Sequence, residues 1–364
     1  MLKSRIILPC LLVLVLCLCN YAIAAENAPE APDLAISVTF PDIEAAKAAI
    51  IDDSIDPYFS RMQEMEMSAK TGSPIDGETI TQQRQNCRLR YQAGVREFTE
   101  DVKKVIRKSA EKLYKALHEK YPLFAEMPWV FIKVSDEIEG GMPHTRDKYI
   151  VLSEGVCRRF AMVDQSGSER AASGISMLLL HEQTHVFQRL CPNFFDSLYI
   201  DVWGFIKAEK IEGCPWLDKY QLINPDGTDC CWVYPIKKDD DVTYLWPLVV
   251  FAEGDGLKRM PQDFRMIGVE LNKDDGIFKP KMTEDAKPVY HNLMDVPEYR
   301  NIFPQTSNIY HPNEASASLF TLIVLLDSMP EEQRIAQQER MKIGPNFELV
   351  RKWFAENLQK KSEN

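Results

Sequence analysis

The sequence predicts an α+β fold, with helical regions at both ends of the chain and strands between them. Three observations carry that expectation. Residues 43–70 and 79–120 are dense in Ala, Glu, Lys, Arg, Met and Leu, and Val105, Ala110, Leu113 and Leu117 recur at near-helical spacing. Residues 129–134, Trp-Val-Phe-Ile-Lys-Val, and the apolar run 149–152 are short and rich in β-branched and aromatic side chains, as strands are. Helical patterns then return at 314–327, 331–341 and 347–358. The expected order is an N-terminal helical region, a small mixed sheet, a central helix and a C-terminal helical lobe.

The first element in chain order is a leader. Lys3 and Arg5 precede an apolar stretch at 6–18, and Ala22-Ile23-Ala24 has the small-x-small spacing that a signal peptidase accepts, so residues 1–24 read as a secretory signal peptide. The apolar stretch is shorter than the roughly 20 residues of a membrane span, and no later segment suits, so no stable membrane insertion is expected. Cys17 and Cys19 each follow leucine where lipoprotein processing wants a small residue, which argues against a lipid anchor. Residues 26–32 form a spacer rich in Ala, Pro and acids. Residues 25–364 then read as a single unit, or as two lobes dividing near 190–220.

Within that unit the break at Thr71-Gly72-Ser73-Pro74 makes residues 43–120 a helical hairpin. The two strands follow, with a turn at Gly140-Gly141 between them, and then a helix at 170–190. A mixed region passes through Asn224-Pro225-Asp226-Gly227 and the strand-like runs 231–234 and 245–251. Residues 254–304 are rich in Pro, Gly and Asp, and they read as long loops with short strands near 266–271.

The chemistry is concentrated in the 170–190 helix, where His181-Glu182-Gln183-Thr184-His185 follows an apolar run at 175–180. Histidines four apart are separated by about 40° around a helix axis, so both imidazoles reach one metal ion. In such sites zinc lowers the pKa of its water to roughly 7, and the intervening glutamate takes the proton. The bland alternative is a core helix whose histidines merely satisfy hydrogen bonds.

Catalytic zinc needs a third protein ligand. The metzincin continuation, His-x-x-Gly-x-x-His, fails because Gln188 and Cys191 occupy its places. Residues 313–318 read Asn313-Glu314-Ala315-Ser316-Ala317-Ser318 and open an apolar helix, which resembles the Asn-Glu-x-x-Ser-Asp segment of the gluzincins, the thermolysin-like class. With Tyr310-His311-Pro312 before it, the pattern also resembles a group of exported bacterial zincin-like proteins. The resemblance implies a zincin-like catalytic unit with Glu314 on the zinc. The chain departs from the family at Ser318, which stands where an aspartate would support a ligand, and in the separation of 129 residues from His185 to Glu314. Glu209, Glu212, His291 and His311 remain alternative third ligands.

A developing oxyanion needs a donor, for which Tyr310 and His311 qualify by position, as do Tyr290 and His291. His144 and Arg146 enter the region before the motif helix, where an edge strand of a zincin would pair with an extended peptide; the alternative there is a polar turn. The net charge of −11 argues against a nucleic-acid partner. Cys87, Cys157, Cys191, Cys214, Cys230 and Cys231 follow the leader, and in an exported chain they predict at least one disulfide. The sum is a secreted or periplasmic zinc metallopeptidase acting on a peptide or protein substrate. Its rival is a non-catalytic extracytoplasmic binding or scaffold protein.

Overall fold

The computed structural model describes residues 36–227, 229–238 and 241–359, so the expected leader and spacer lie outside the described residues. The fold is α+β, built on two sheets.

The first sheet is centred on β3 (Trp129–Val134), which is flanked along one edge by parallel β5 (Tyr149–Ser153). Its other edge is shared by β1 (Val38–Thr39), parallel to its start, and β2 (Val95–Arg96), antiparallel to its end. Strand β4 (His144–Arg146) runs antiparallel to β5 and closes the sheet. Side chains of β3 and β5 alternate between two cores. Trp129, Phe131, Ile150 and Leu152 enter the central cluster, whereas Ile132, Val134 and Val151 enter an N-terminal one. Both faces are covered, which is why these strands read as nearly continuous apolar runs.

The N-terminal face is covered by α1 (Ile43–Ile50), α2 (Tyr58–Arg61), α3 (Glu64–Lys70) and α4 (Ile80–Gly94). The expected hairpin of two long helices is therefore not formed. The chain breaks at Asp52-Asp53-Ser54 and Pro57, and strand β2 separates α4 from α5 (Glu100–Leu117). At the end of α4 a Cβ on Gly94 would sit 2.7 Å from the Ile138 side chain, so the approach needs glycine. The central face is covered by α5, by α7 (Glu154–Ser166), which follows the short α6 (Pro122–Ala125), and by α8 (Glu169–Leu190). Ser168 caps α8, and the helix is buried almost throughout its second half.

The second sheet is the departure from expectation. After β6 (Ile206–Lys207) and α9 (Pro215–Tyr220), strands β7 (Trp232–Lys238), β8 (Asp241–Phe251), β9 (Phe264–Asp274) and β10 (Ile277–Pro280) form an antiparallel series. Strand β11 (Tyr290–Asn292) also pairs with β9. Residues 254–304 thus carry three strands: the short strands expected near 266–271 are one eleven-residue strand, β9, and β10 and β11 stand where only loops were expected. Pro247 is tolerated in β8 because the β7 ladder ends at Leu245, leaving that edge without a ladder partner.

The chain finishes with α10 (Pro297–Arg300), α11 (Pro312–Asp327), α12 (Glu331–Arg340) and α13 (Pro345–Asn357); α11 packs against α8. The expected disulfide is not formed, for all six cysteines among the described residues are free. Cys87, Cys157 and Cys214 lie in three separate apolar clusters. Among the described residues no helix is long and apolar enough to cross a membrane.

Candidate metal centre

Two helices bring the centre together. On α8, His181 and His185 lie one turn apart with their Nε2 atoms 3.2 Å from each other. On α11, Pro312 occupies the first turn, where its missing N–H costs nothing, and Glu314 follows in that turn. Glu314 Oε2 is 3.5 Å from His181 Nε2, and its Oε1 is 3.7 Å from His185 Nε2. All three side chains are buried, with ligand atoms within 4.8 Å of one another. Ligand bonds of 2.0–2.1 Å in a tetrahedron give edges of about 3.3 Å, close to these separations.

The donor set fits a metal ion. His185 Nδ1 lies 2.7 Å from Gln188 Oε1, which only accepts, so Nδ1 carries the proton and Nε2 faces the centre with its lone pair. Burial pushes the pKa of His185 down to about 3, keeping it neutral. Burial would raise the Glu314 carboxyl, yet His185 and His181, with the Asn224 amide, hold it well below the usual range. Two imidazole nitrogens and a carboxylate converging in a buried site could hold a metal ion.

Surrounding residues orient the ligands, and most are invisible in the sequence pattern. Gln188 Nε2 donates to Ser316 Oγ at 2.8 Å and to the Asn313 carbonyl at 3.1 Å, locking α8 to α11. Ser318 Oγ accepts from Asn308 Nδ2 at 3.2 Å. Asn224 Nδ2 donates to Glu314 Oε1 at 2.6 Å. Glu182 is buried, with Thr145 Oγ1 3.3 Å from its Oε2. Burial, Asp226 and Glu314 all push its pKa well above the usual carboxylate range. A cation on the triad would act in the opposite sense.

Segment 223–227 lies across the centre as a strap. Ile223 N–H donates to Glu66 Oε1 at 2.7 Å, Lys70 Nζ donates to the Ile223 carbonyl at 2.6 Å, and Asp226 Oδ1 accepts from Thr145 N–H at 2.5 Å. Arg189 donates to the carbonyls of Pro225 and Thr145 and holds Asp56 at 2.7 Å. The outer edge of β4 is therefore occupied at Thr145, where an extended peptide was expected to pair. Arg146 is equally committed, buried between Asp53 and Asp56 rather than offered to a ligand.

The remaining expected residues are placed as follows. Tyr310 lines the cavity beside His181, Glu182 and Glu314. His311 does not: its Nδ1 accepts from Asn313 N–H to cap α11, and its Nε2 bonds the Asp229 carbonyl, so both ring nitrogens are spent. His291 sits exposed on β11 beside Glu270 at 2.7 Å. Glu209 is exposed and Glu212 half-buried against Lys210, and neither belongs to the triad. Tyr290 stacks on Trp216 at the cavity wall. The cavity has a volume of about 550 Å³ and a largely apolar wall supplied by β8 and β9.

In comparisons with known proteins, no family model, curated protein or solved structure matches this chain.

Proposed function

We propose that the chain is an exported, gluzincin-like zinc hydrolase with a zincin-like catalytic unit, and that it cleaves peptide bonds. The observation that carries this reading is the convergence of His181, His185 and Glu314, with Glu182 beside them on the wall of a substrate-sized cavity. Zinc bound there would supply a Lewis acid that lowers the pKa of a water to roughly 7. Glu182 is the base that accepts the proton and passes it to the leaving amine, and Thr145 holds its carboxylate in place. Tyr310 is the donor for charge developing on the carbonyl oxygen. Peptide is favoured because this motif most often serves peptide hydrolysis, an argument by association.

The test is Glu182→Gln, which keeps the side-chain shape and removes the base. The purified protein is expected to hold about one zinc per chain, and the variant to keep it. Hydrolysis of a mixed peptide library should fall at least about a hundredfold. Equal activity in both proteins would remove Glu182 from the mechanism.

A second reading, a binding protein without turnover, is favoured by one feature: Asp226 and Arg189 occupy the β4 edge at Thr145. Zinc binding with no cleavage of peptides, esters or acylated amides would establish it.

A further inference from the structure

The same cavity contains a polar cluster that the proposed hydrolysis does not use. Glu139 and Gly140 both adopt left-handed backbone, with φ of 51° and 60°. A Cβ on Gly140 would meet Met260 Cβ at 2.7 Å, so this turn is pressed against the 260 loop and Glu139 is fixed at the cavity wall. Its Oε1 accepts from the hydroxyls of Tyr58 and Tyr91. Its Oε2 is 3.5 Å from Lys70 Nζ and has no hydrogen bond. Burial would raise the Glu139 carboxyl, but Lys70, His144 and the two hydroxyls outweigh it and hold it low, so it is ionised.

His144, buried on β4, also lines the cavity. Its Nδ1 lies 3.1 Å from the Met142 carbonyl, which only accepts, so the proton is on Nδ1 and Nε2 is a lone pair. That Nε2 is buried without a partner. Buried acceptors are rarely left unsatisfied, and these two belong to residues that line one cavity, so a donor bound there would satisfy both.

The charge balance agrees. Five carboxylates line the cavity, Glu139, Glu182, Asp226, Glu253 and Glu314, of which Glu253 is paired with Lys287, whereas Arg265, the one lining Lys or Arg among the described residues, is exposed. A divalent ion offsets two of these charges, and Lys70 is shared between Glu139 and Glu66.

The geometry points to a primary ammonium group of the substrate as that donor, held by His144 Nε2 and Glu139 Oε2, with the substrate's apolar part against β8 and β9. An ammonium is three donors on one atom, which suits two acceptors that lack partners. The chemistry is shared by a peptide's free N-terminus and by a lysine side chain. The term substrate rests on the hydrolase reading; the ammonium site does not.

The test is titration calorimetry of the full chain, zinc-free and zinc-loaded, with phenylalaninamide, N-acetylphenylalaninamide and Nα-acetyl-lysinamide. One free amine should bind at least about tenfold tighter than N-acetylphenylalaninamide, the low end for charge-assisted hydrogen bonding. Preference for phenylalaninamide assigns the N-terminus, and preference for the lysine ligand assigns the side chain. His144→Ala should abolish the preference and His144→Gln, whose amide oxygen can stand in for Nε2, should restore part of it. Where His144→Ala does not fold, the wild-type preference decides.

Equal binding of all three ligands overturns the inference, as does a preference kept by folded His144→Ala. A preference seen only with zinc also overturns it, because the amine would then be on the metal. Cleavage is read separately: amine selectivity without turnover removes the hydrolase and keeps the site, and cleavage of acetylated peptides without selectivity does the reverse.

Discussion

Gln188 follows His185 by three residues, on the same helix face, and its amide turns the imidazole toward the centre while holding α11 through Ser316. Replacing it with leucine keeps the bulk but frees the ring, so metal affinity should fall about 10- to 100-fold, measured by competition with a chelator. Glu314→Ala should lose the metal altogether, whereas Glu209→Ala and Glu212→Ala should retain it; elemental analysis separates the three. At this scale the sequence was informative where the chemistry is local. His181, Glu182 and His185 share one helix turn, and Glu314 announces itself as an acid opening an apolar helix. Asn224, Asp226 and Thr145 carry no local signature, because each acts on a partner at least 37 residues away.

Among the elements, the strap 223–227 covers the edge of β4 at Thr145 and reaches Glu314 through Asn224. Asp226→Ala removes the acceptor of the Thr145 amide, so exchange of that amide with solvent should quicken while the rest of the first sheet stays protected. No change in its exchange would mean that the strap does not govern the edge. A second element-level contact is acid-sensitive. Asp136, beyond the end of β3, accepts from Gly155 N–H at 2.5 Å and from Arg158 at 2.6 Å at the start of α7. Burial alone would raise its pKa, but the hydrogen bonds with Arg158 and Gly155 hold it below the ordinary 3.8. A depressed carboxyl stabilises the fold above its unfolded pKa and loses that effect as pH falls through the folded value. Asp136→Asn should therefore cost about 0.5–1 kcal/mol at pH 7, allowing for exposure, and much less near pH 2, as read by urea unfolding. Strands β3 and β5 were legible because both their faces are buried. The second sheet was legible in part: the runs 231–234, 245–251 and 266–271 fall largely in β7, β8 and β9, whereas the Pro-, Gly- and Asp-rich composition of 254–304 masks the full length of β9 and the short strands β10 and β11.

For the molecule as a whole, the N-terminal helices are tied to the centre by charge as well as by packing. Lys70 is fully buried between Glu66 and Glu139, and it also donates to the strap carbonyl at Ile223. Lys70→Met should destabilise the protein by about 3–5 kcal/mol in denaturant unfolding, since two acids would remain in the interior without their cation. The unpaired cysteines give a complementary expectation. Burial pushes the thiols of Cys87, Cys157 and Cys230 up to about 12, so the folded chain should react slowly with thiol reagents. All six should react once it is unfolded without reductant, and fewer than six would reveal a disulfide. The long interval between His185 and Glu314 also has a biosynthetic meaning. At about 5–20 residues per second, a ribosome needs roughly 6–26 s to add the 129 residues that bring the third ligand into being. Throughout that interval the nascent polypeptide carries both histidines without the carboxylate that completes the candidate metal centre.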